Sequence, residues 1–236
     1  MNRLFVLSGA SGSGKSRLLE KIVKEGLCKQ APKYSNREKR SDEFDDITHI
    51  EVDELKKKCD IRYQIYMDNI WYGINTKEIK EELHVANLIV IISDIDAIKA
   101  IKALKKDLGI DNDALIVFIY LQDLCIDNLL KERYDLNLDE NERKEFANHI
   151  LKFRDIRDKN WLDFVPENIK KIIEKLKSSF PNNEKYQEFI KRCDSWIDLE
   201  IKYEENKDLF TDGIISDTVE ELYDKFESQI YKKYIL

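Results

Sequence analysis

The sequence predicts an α/β protein built on a mainly parallel sheet. Its two most apolar runs, residues 88–92 and 114–121, are rich in β-branched residues and contain no charge, as expected of strands covered on both faces. A third apolar run, residues 4–7, comes before a glycine-rich turn and an amphipathic segment at 18–23. Strands that alternate with helices in this way pair in parallel, with helices flanking the sheet.

The glycine-rich turn matches G-x-x-x-x-G-K-[ST], a pattern typical of loops that bind nucleotide phosphates. Glycines let the backbone bend so that successive N–H groups face inward, and the following helix directs its positive end at the same point. A chance turn is disfavoured because a strand precedes it and a helix follows. We predict that Lys15 contacts the β- and γ-phosphates of ATP and that Ser16 is a ligand of Mg²⁺. The predicted nucleotide-binding residues are Gly9, Ala10, Ser11, Gly12, Ser13, Gly14, Lys15 and Ser16.

Composition narrows the classes of partner. The chain has 236 residues and a formal net charge of −7 at pH 7, whereas proteins that bind nucleic acid or anionic membranes show a basic excess. We therefore expect neither partner. The four cysteines lie far apart without a C-x-x-C pair, which is typical of reduced thiols in a cytoplasmic protein. The longest apolar run is too short to span a bilayer.

Along the chain, the predicted elements alternate between apolar strands and amphipathic helices. In the first half they are an irregular polar segment (26–46), a short strand leading into a helix (47–55), a β-like segment (61–72), a helix (76–83), the strand at 88–92 with a lysine-rich helix to about 108, and the strand at 114–121. In the second half they are helices at 126–133, 140–158, 166–179 and 184–204, a short strand at 209–213 and a helix from about 217. We predict a single domain, residues 1–236, that carries a helical insertion.

Polar side chains follow each of the buried strands. Besides the glycine-rich loop, they are Asp94 and Asp96 after one strand and Gln122 and Asp123 after another. Ligands of parallel sheets bind beyond the carboxyl ends of the strands. The sequence therefore predicts that these groups gather along one edge of the sheet.

Four segments occur in an order and spacing shared with one enzyme family. They are residues 7–16 (LSGASGSGKS), 34–40 (YSNREKR), 70–73 (IWYG) and 91–96 (IISDID). In these segments the chain resembles the guanylate kinase family of P-loop nucleotide kinases over roughly its first half. The resemblance implies a P-loop kinase fold with an acceptor-binding region at about 32–83, an enlarged helical lid or insertion at about 122–205, and a last strand and helix at 206–236.

The resemblance also implies roles for residues outside the glycine-rich loop. In the family an R-x-x-R pair grips the acceptor phosphate through planar, permanently charged forks, and Arg37 and Arg40 match this pair. Tyr72 matches a tyrosine that hydrogen-bonds the same phosphate. Asp94 ends a Walker-B-like run and is a candidate catalytic residue and Mg²⁺ ligand, and Asp96 matches an acidic residue near the acceptor. The alternatives are a solvated basic turn, a core aromatic side chain and a helix N-terminus.

Related kinases bring arginines on a lid over the phosphate that is transferred, where positive charge does most of the catalytic work. Arg133 matches the family's arginine after the third strand, and Arg192 matches its lid arginine. With Arg192 in that role, the last strand falls at about 208–212.

An alternative register takes Arg143 or Arg154 as the lid arginine and residues 164–168 as the last strand. We favour the first register because a strand containing Val-Pro is unfavourable and because the terminal helix then takes the family's position.

Four positions depart from the family pattern for reading guanine. Tyr63 stands where the family has a glutamate, Ile74 replaces a small hydroxyl residue, Lys33 replaces a serine, and Thr48 falls near the position of a tyrosine. Because a site that reads a base relies on matched donors and acceptors, the sequence predicts a phosphate-bearing acceptor more firmly than it predicts GMP.

The sequence thus predicts an ATP-dependent, Mg²⁺-requiring kinase of guanylate kinase fold that phosphorylates a phosphate-bearing small molecule, foremost a nucleoside monophosphate. One alternative is a sugar-phosphate kinase of the same fold, which the missing base-reading groups allow. The other is a guanylate kinase-like interaction module without catalysis, although such modules usually degrade the glycine-rich loop and here Lys15 and Ser16 persist.

Overall fold

The computed structural model describes residues 2–9, 13–39, 47–64, 70–104, 116–122, 138–152, 161–216 and 219–235. The chain divides into two compact units. The first comprises Met1–Gly9, Gly14–Asp123 and Asn206–Leu236, and the second comprises Ala10–Ser13 and Leu124–Glu205.

The first unit contains two sheets and most of the short helices. Its strands are β1 (Leu4–Gly9), β2 (Lys29–Gln30), β3 (Tyr34–Ser35), β4 (Thr48–His49), β5 (Ile61–Gln64), β6 (Trp71–Ile74), β7 (Leu88–Ile91), β8 (Ile116–Gln122) and β9 (Asp212–Ile215). Its helices are α1 (Lys15–Lys24), α2 (Val52–Lys58), α3 (Thr76–Leu83) and α4 (Ile95–Leu104). The helices of the second unit are α5 (Glu140–Lys152), α6 (Glu167–Ser179) and α7 (Asn183–Glu205). The first unit ends with α8 (Val219–Lys225), a π-helical segment (Phe226–Tyr231) and α9 (Lys232–Ile235).

The main sheet has the strand order β2-β7-β1-β8-β9, and all of its described pairings are parallel. All six residues of β1 are buried, and Leu4 lies in register with Leu88 on one side and Ile116 on the other. A strand between two neighbours and under helices has no polar face, which explains why the apolar runs alone predicted it. The predicted mainly parallel sheet flanked by helices is confirmed.

Helices cover β1 on the side of Phe5. The α1 helix buries Leu18, Leu19 and Ile22, and it packs against α8. The ring of Phe5 meets that of Phe226 edge-on at 5.5 Å between centroids. The strand that begins the chain is therefore covered by a segment near its end.

A small mixed sheet lies in the region predicted to bind the acceptor, with the order β4-β3-β6-β5. Strand β3 pairs in parallel with β4 and antiparallel with β6. One face of this sheet packs on α2 through a core of Tyr34, Leu55 and Cys59. A Cβ built on Gly73 would stand 2.5 Å from Cys59 Sγ, so only glycine fits at this point of β6.

The second unit is helical in its described part. A core of aromatic and aliphatic side chains joins α5, α6 and α7. The ring of Phe189 lies 5.9 Å from Phe146 and 5.4 Å from Phe180 between centroids. Helix α6 adds Ile169, Ile172 and Leu176, so each helix contributes to one cluster.

Most predicted elements are present, with instructive shifts. The helix predicted at 76–83 is α3, and those predicted at 166–179 and 184–204 differ from α6 and α7 by one residue at each shifted end. The predicted last strand at 209–213 forms later, as β9, after a 3₁₀ turn at Lys207–Leu209. The alternative strand at 164–168 is wrong, because Trp161–Phe164 is a 3₁₀ turn and Glu167 begins α6. Strands β2 and β3 lie in a segment predicted to be irregular, and the helix predicted at 126–133 lies outside the described residues.

Within the described ranges, every helix is too short or too polar to cross a lipid bilayer.

Candidate functional site

The turn between β1 and α1 has the backbone that the glycine motif requires. Gly9 has φ 137° and Gly14 has φ 80°, values that side-chain-bearing residues rarely adopt. Lys15 begins α1 directly afterwards, and its Nζ donates to the carbonyl oxygen of Gly9 at 2.7 Å. The ammonium group thus lies across the base of the turn. Ala10, Ser11 and Gly12 lie outside the described residues.

The start of α1 favours an anion. Its first turn contains no acidic side chain, whereas its last turn carries Lys21 and Lys24. The positive end of the helix dipole is therefore not offset by a local carboxylate, and backbone N–H groups there can face a phosphate. Ser13 is buried, and Ser16 is exposed in the first turn of α1.

Asp94 and Asp96 follow β7 at the same edge of the main sheet, because Ile92 N donates to Leu7 O on the adjacent strand at 2.9 Å. Asp94 Oδ1 accepts from Ala97 N at 2.7 Å, so this carboxylate caps α4 as the helix-terminus interpretation predicts. Asp96 is exposed and lies 3.5 Å from the Lys99 ammonium.

An Mg²⁺ ion suits this edge chemically. A hydroxyl from Ser16 and a carboxylate from Asp94 are oxygen donors, and Mg²⁺ in phosphate-transfer sites is held by one or two such groups together with substrate phosphates. The described residues contain no cluster of three or more His, Cys, Asp or Glu side chains that could hold a metal by themselves.

A row of side chains crosses the small sheet on the face opposite α2. Strand register places Tyr63 beside Tyr72, Tyr72 beside Ser35, and Ser35 beside His49. Register partners on neighbouring strands point to the same face of a sheet, and we call this set the cross-strand row. The rings of Tyr63 and Tyr72 stack at 5.5 Å with an interplanar angle of 17°.

Lys33 lies against the cross-strand row. Its side chain is buried, with Nζ donating to Ile91 O at 2.9 Å and lying 4.9 Å from the centre of the Tyr72 ring. Burying an ammonium is costly unless it is compensated, so a hydrogen bond and a cation–π contact here hold the charge in a fixed place. That place adjoins the end of β7, which leads to Asp94.

Arg37 follows the cross-strand row along the chain. The side chain is buried, its backbone N donates to Ser35 Oγ at 3.2 Å, and its Nη1 donates to Glu38 O at 3.1 Å. The Nδ1 atom of His49 lies 2.6 Å from Arg37 O. The structure thus brings Arg37 and Tyr72 to the same small sheet. Arg40 lies outside the described residues.

The structure describes little of the candidate lid arginines. Arg192 lies in α7 of the second unit, with its side chain outside the described set, and Arg133 and Arg154 are not among the described residues. Arg143 in α5 donates Nη1 to Leu138 O at 3.1 Å.

The face of the small sheet that packs on α2 is structural. Tyr34 OH donates to Glu78 Oε2 at 2.5 Å, and burial together with this bond raises the pKa of Tyr34.

Burial raises the pKa of the Cys59 thiol to about 11 and that of the Cys28 thiol to about 12. Both thiols therefore stay protonated near neutral pH and are poor nucleophiles.

Sequence reasoning missed His49. Its strand was predicted, but its pairing with β3 depends on register between residues 14 positions apart, such as Ser35 and His49, and that register brings it to Arg37. Lys33 and Tyr63 were noticed only as departures from a pattern, and their contact with Tyr72 emerges from the same register.

Known proteins resemble the chain in sequence and in fold. Over 98 residues it is 29% identical to the guanylate kinase of Sulfurimonas denitrificans, an alignment that includes 39% of this chain and 48% of that protein. The chain thus spans about half the length of this curated relative. The crystal structure of guanylate kinase from Anaplasma phagocytophilum matches 100% of this chain and 87% of its own with a TM-score of 0.51 and 14% identity. The fold is that of a guanylate kinase.

The predicted resemblance to guanylate kinases and the predicted P-loop kinase fold are both confirmed. No family model matches the sequence. The glycine turn lies in the region predicted to bind the phosphate donor. The small sheet lies in the region predicted to bind the acceptor.

Proposed function

We propose that this protein is an ATP-dependent, Mg²⁺-requiring kinase that transfers a phosphoryl group to a phosphate-bearing small molecule, foremost a nucleoside monophosphate. The observation that carries the proposal is the turn after β1, where two positive-φ glycines flank the segment and Lys15 Nζ lies 2.7 Å from Gly9 O. This arrangement supports binding of a polyphosphate chain. The similarity to guanylate kinases in sequence supports transfer of phosphate.

The roles follow from charge and placement. Lys15 and the amides of the turn hold the donor phosphates, and Ser16 and Asp94 hold Mg²⁺, which neutralises charge on the phosphates when it is bound. Arg37, Arg40 and Tyr72 hold the acceptor phosphate, with Asp96 near the acceptor.

We assign Arg133 or Arg192 the family's role of the lid arginine, which neutralises the charge that develops on the transferred group. Lid closure excludes water, which otherwise competes as the acceptor. The buried free thiols Cys28, Cys59 and Cys193 suit the reducing conditions of the cytoplasm, where we place the protein.

The second candidate acceptor is a sugar phosphate. The observation that favours it lies at the cross-strand row, where Tyr63, stacked on Tyr72, and the adjoining buried Lys33 take the place of the carboxylate and hydroxyl groups that read guanine in the family. Tyr63 offers a phenol instead of a carboxylate, and Ile74 offers no hydrogen bond at all. A purine edge that meets unmatched groups is rejected strongly.

The test is a coupled assay of ADP release with ATP and Mg²⁺ across AMP, GMP, CMP, UMP and ribose phosphates. Lys15→Ala is expected to lower kcat/KM by about a hundredfold or more, the size typical of losing one strong electrostatic contact to the transition state. The matched control is Lys24→Ala at the other end of the same helix, where the ammonium is exposed and pairs with Glu20 at 2.5 Å. Turnover with a sugar phosphate alone would replace the nucleotide acceptor, and failure of the intact protein to bind ATP would favour the non-catalytic module.

A further inference from the structure

We propose that His49 is a positioning residue, whose Nδ1–H holds the carbonyl of Arg37 and so fixes the segment that presents Arg37 to the acceptor phosphate. The inference rests on the proposed function, because it assigns a purpose to the acceptor side of that site. Its structural part, the protonation of Nδ1, is independent of activity.

The hydrogen bond assigns the proton. A backbone carbonyl oxygen only accepts, so the 2.6 Å contact between His49 Nδ1 and Arg37 O requires that Nδ1 carry the hydrogen. The ring is held for this contact by β4, since His49 is in register with Ser35. Ile50 N donates to Ser35 O at 2.9 Å and Thr48 N to Lys33 O at 2.9 Å, which ties the histidine's backbone to β3 on both sides.

The segment that carries Arg37 is held from both neighbouring strands. On the β6 side, Ser35 Oγ donates to Trp71 O at 2.8 Å, and Asn36 Oδ1 accepts from Trp71 N at 2.7 Å. These bonds fix the chain up to Asn36. On the β4 side, the His49 bond fixes the carbonyl after the Arg37 Cα. The two sets together restrain the peptide units before and after Arg37, and with them the direction of its side chain.

Restraint of this kind matters because the guanidinium must meet a phosphate with both prongs of its fork. Arg37 is buried, and its Nη1 lies 3.1 Å from Glu38 O, the next carbonyl along the chain. A rotation of the peptide after Arg37 moves that carbonyl and the direction of the side chain together. Small misplacements of binding groups cost rate steeply when the geometry of the reacting groups is fixed.

The experiment compares His49→Asn, His49→Gln and His49→Leu with wild type, using ATP and the best acceptor of the panel above. The Asn amide places a donor near the former Nδ1, the Gln amide places it near the former Nε2, and Leu has no donor. We expect Leu and Gln to raise the acceptor KM about threefold to tenfold, the range for one hydrogen bond to an uncharged carbonyl. We expect Asn to stay near wild type and the ATP KM to be unchanged in all three.

The matched control is His84→Leu, which changes an exposed histidine and should alter neither KM. Thermal melting identifies variants that lose the fold. An unchanged acceptor KM in folded His49→Leu, an equal rise in both KM values, or an Asn variant no better than Gln would each overturn the positioning role.

A second measurement does not depend on turnover. Long-range ¹H–¹⁵N spectra of the histidine-labelled protein in alkaline buffer report which ring nitrogen carries the proton, with His49 assigned by its loss in His49→Asn. An Nδ1–H ring is the expected result, and an Nε2–H ring would overturn the contact. If wild type turns over no acceptor, the proposed function fails and this spectrum still decides whether His49 donates to Arg37.

Discussion

The turn between β1 and α1 takes its shape from eight consecutive residues, whereas the cross-strand row assembles from four separate strands. In the described part of the turn, Gly9 and Gly14 have positive φ, and the Lys15 side chain donates to the carbonyl oxygen of Gly9. In the row, Tyr63, Tyr72 and His49 meet through sheet register. Under the proposed function, the turn binds the phosphate chain that all nucleotides share, and the row selects the acceptor.

Replacing Arg37 gives the largest expected effect and separates the two regions most sharply. Arg37→Ala should raise the acceptor KM roughly a hundredfold, since it removes charged hydrogen bonds to a phosphate, and should leave the ATP KM unchanged. Steady-state kinetics with each substrate varied in turn measures both. The control is Arg62→Ala, which removes an exposed guanidinium that donates to Lys56 O at 3.1 Å. An ATP KM that rises as much as the acceptor KM would contradict the separation.

Gly73→Ala tests how closely the small sheet packs on α2. The new Cβ would stand 2.5 Å from Cys59 Sγ and 2.8 Å from its Cβ, and overpacking of this kind costs about 1–3 kcal/mol of stability. Gly26→Ala is the comparison, because Gly26 has φ +72° with nothing within 4 Å of the added Cβ; backbone strain alone costs about 1–2 kcal/mol. Urea denaturation measures the free energy of unfolding of both variants, and a loss well below about 1 kcal/mol in Gly73→Ala would show that the Cys59 contact yields easily.

The double variant Lys33→Ser, Tyr63→Glu tests whether these two side chains disfavour GMP as the acceptor. Restoring the hydroxyl and the carboxylate should raise the kcat/KM for GMP relative to the other acceptors by about tenfold, the scale of one matched polar contact. The panel assay gives the ratio directly. The matched control is Lys29→Ser at the exposed Lys29 of β2, which should leave the ratio unchanged. A preference that stays constant in the double variant would place acceptor choice elsewhere.

The two buried thiols allow the two sheets to be compared in one titration of stability against pH. Burial raises the pKa of Cys59 from 9.0 to about 11 and that of Cys28 from 9.0 to about 12. Because the folded pKa lies above the unfolded one, each thiol's contribution is complete below pH 9 and is lost as the pH rises through its folded pKa. The free energy of unfolding should therefore fall between pH 8 and pH 10.5, by on the order of 1 kcal/mol per thiol and pH unit.

Cys59→Ala and Cys28→Ala should each flatten this dependence, measured by urea denaturation at the two pH values. Cys59→Ala should remove the part of the pH dependence that comes from the small sheet, and Cys28→Ala should remove the part that comes from the main sheet. A slope that is undiminished in both variants would assign it to other groups.

The same difference between a contiguous turn and a row assembled from separate strands decides how much of the structure could be predicted from the sequence. Strand β1, the positive-φ glycines Gly9 and Gly14, and helix α1 were predictable because they are contiguous in the sequence. Strands β7 and β8 were predictable from their apolar, β-branched composition. Strands β3 and β4 have two residues each, too few for a period to emerge, and their pairing is set by contacts across the sheet. Gly73 directly follows the predicted β-like segment 61–72 but lies inside β6, because the thiol of Cys59 and not a turn requires the glycine.

The contact between Phe5 and Phe226 has a consequence for how the protein is made. The ring that covers the strand of the glycine turn is 221 residues farther along the chain. A nascent polypeptide that has left the ribosome only as far as β8 already contains the whole turn but lacks the aromatic cover of its strand. Final packing of β1, and of the turn that follows it, is thus tied to a later stage of synthesis, when α8 and the π-helical segment emerge.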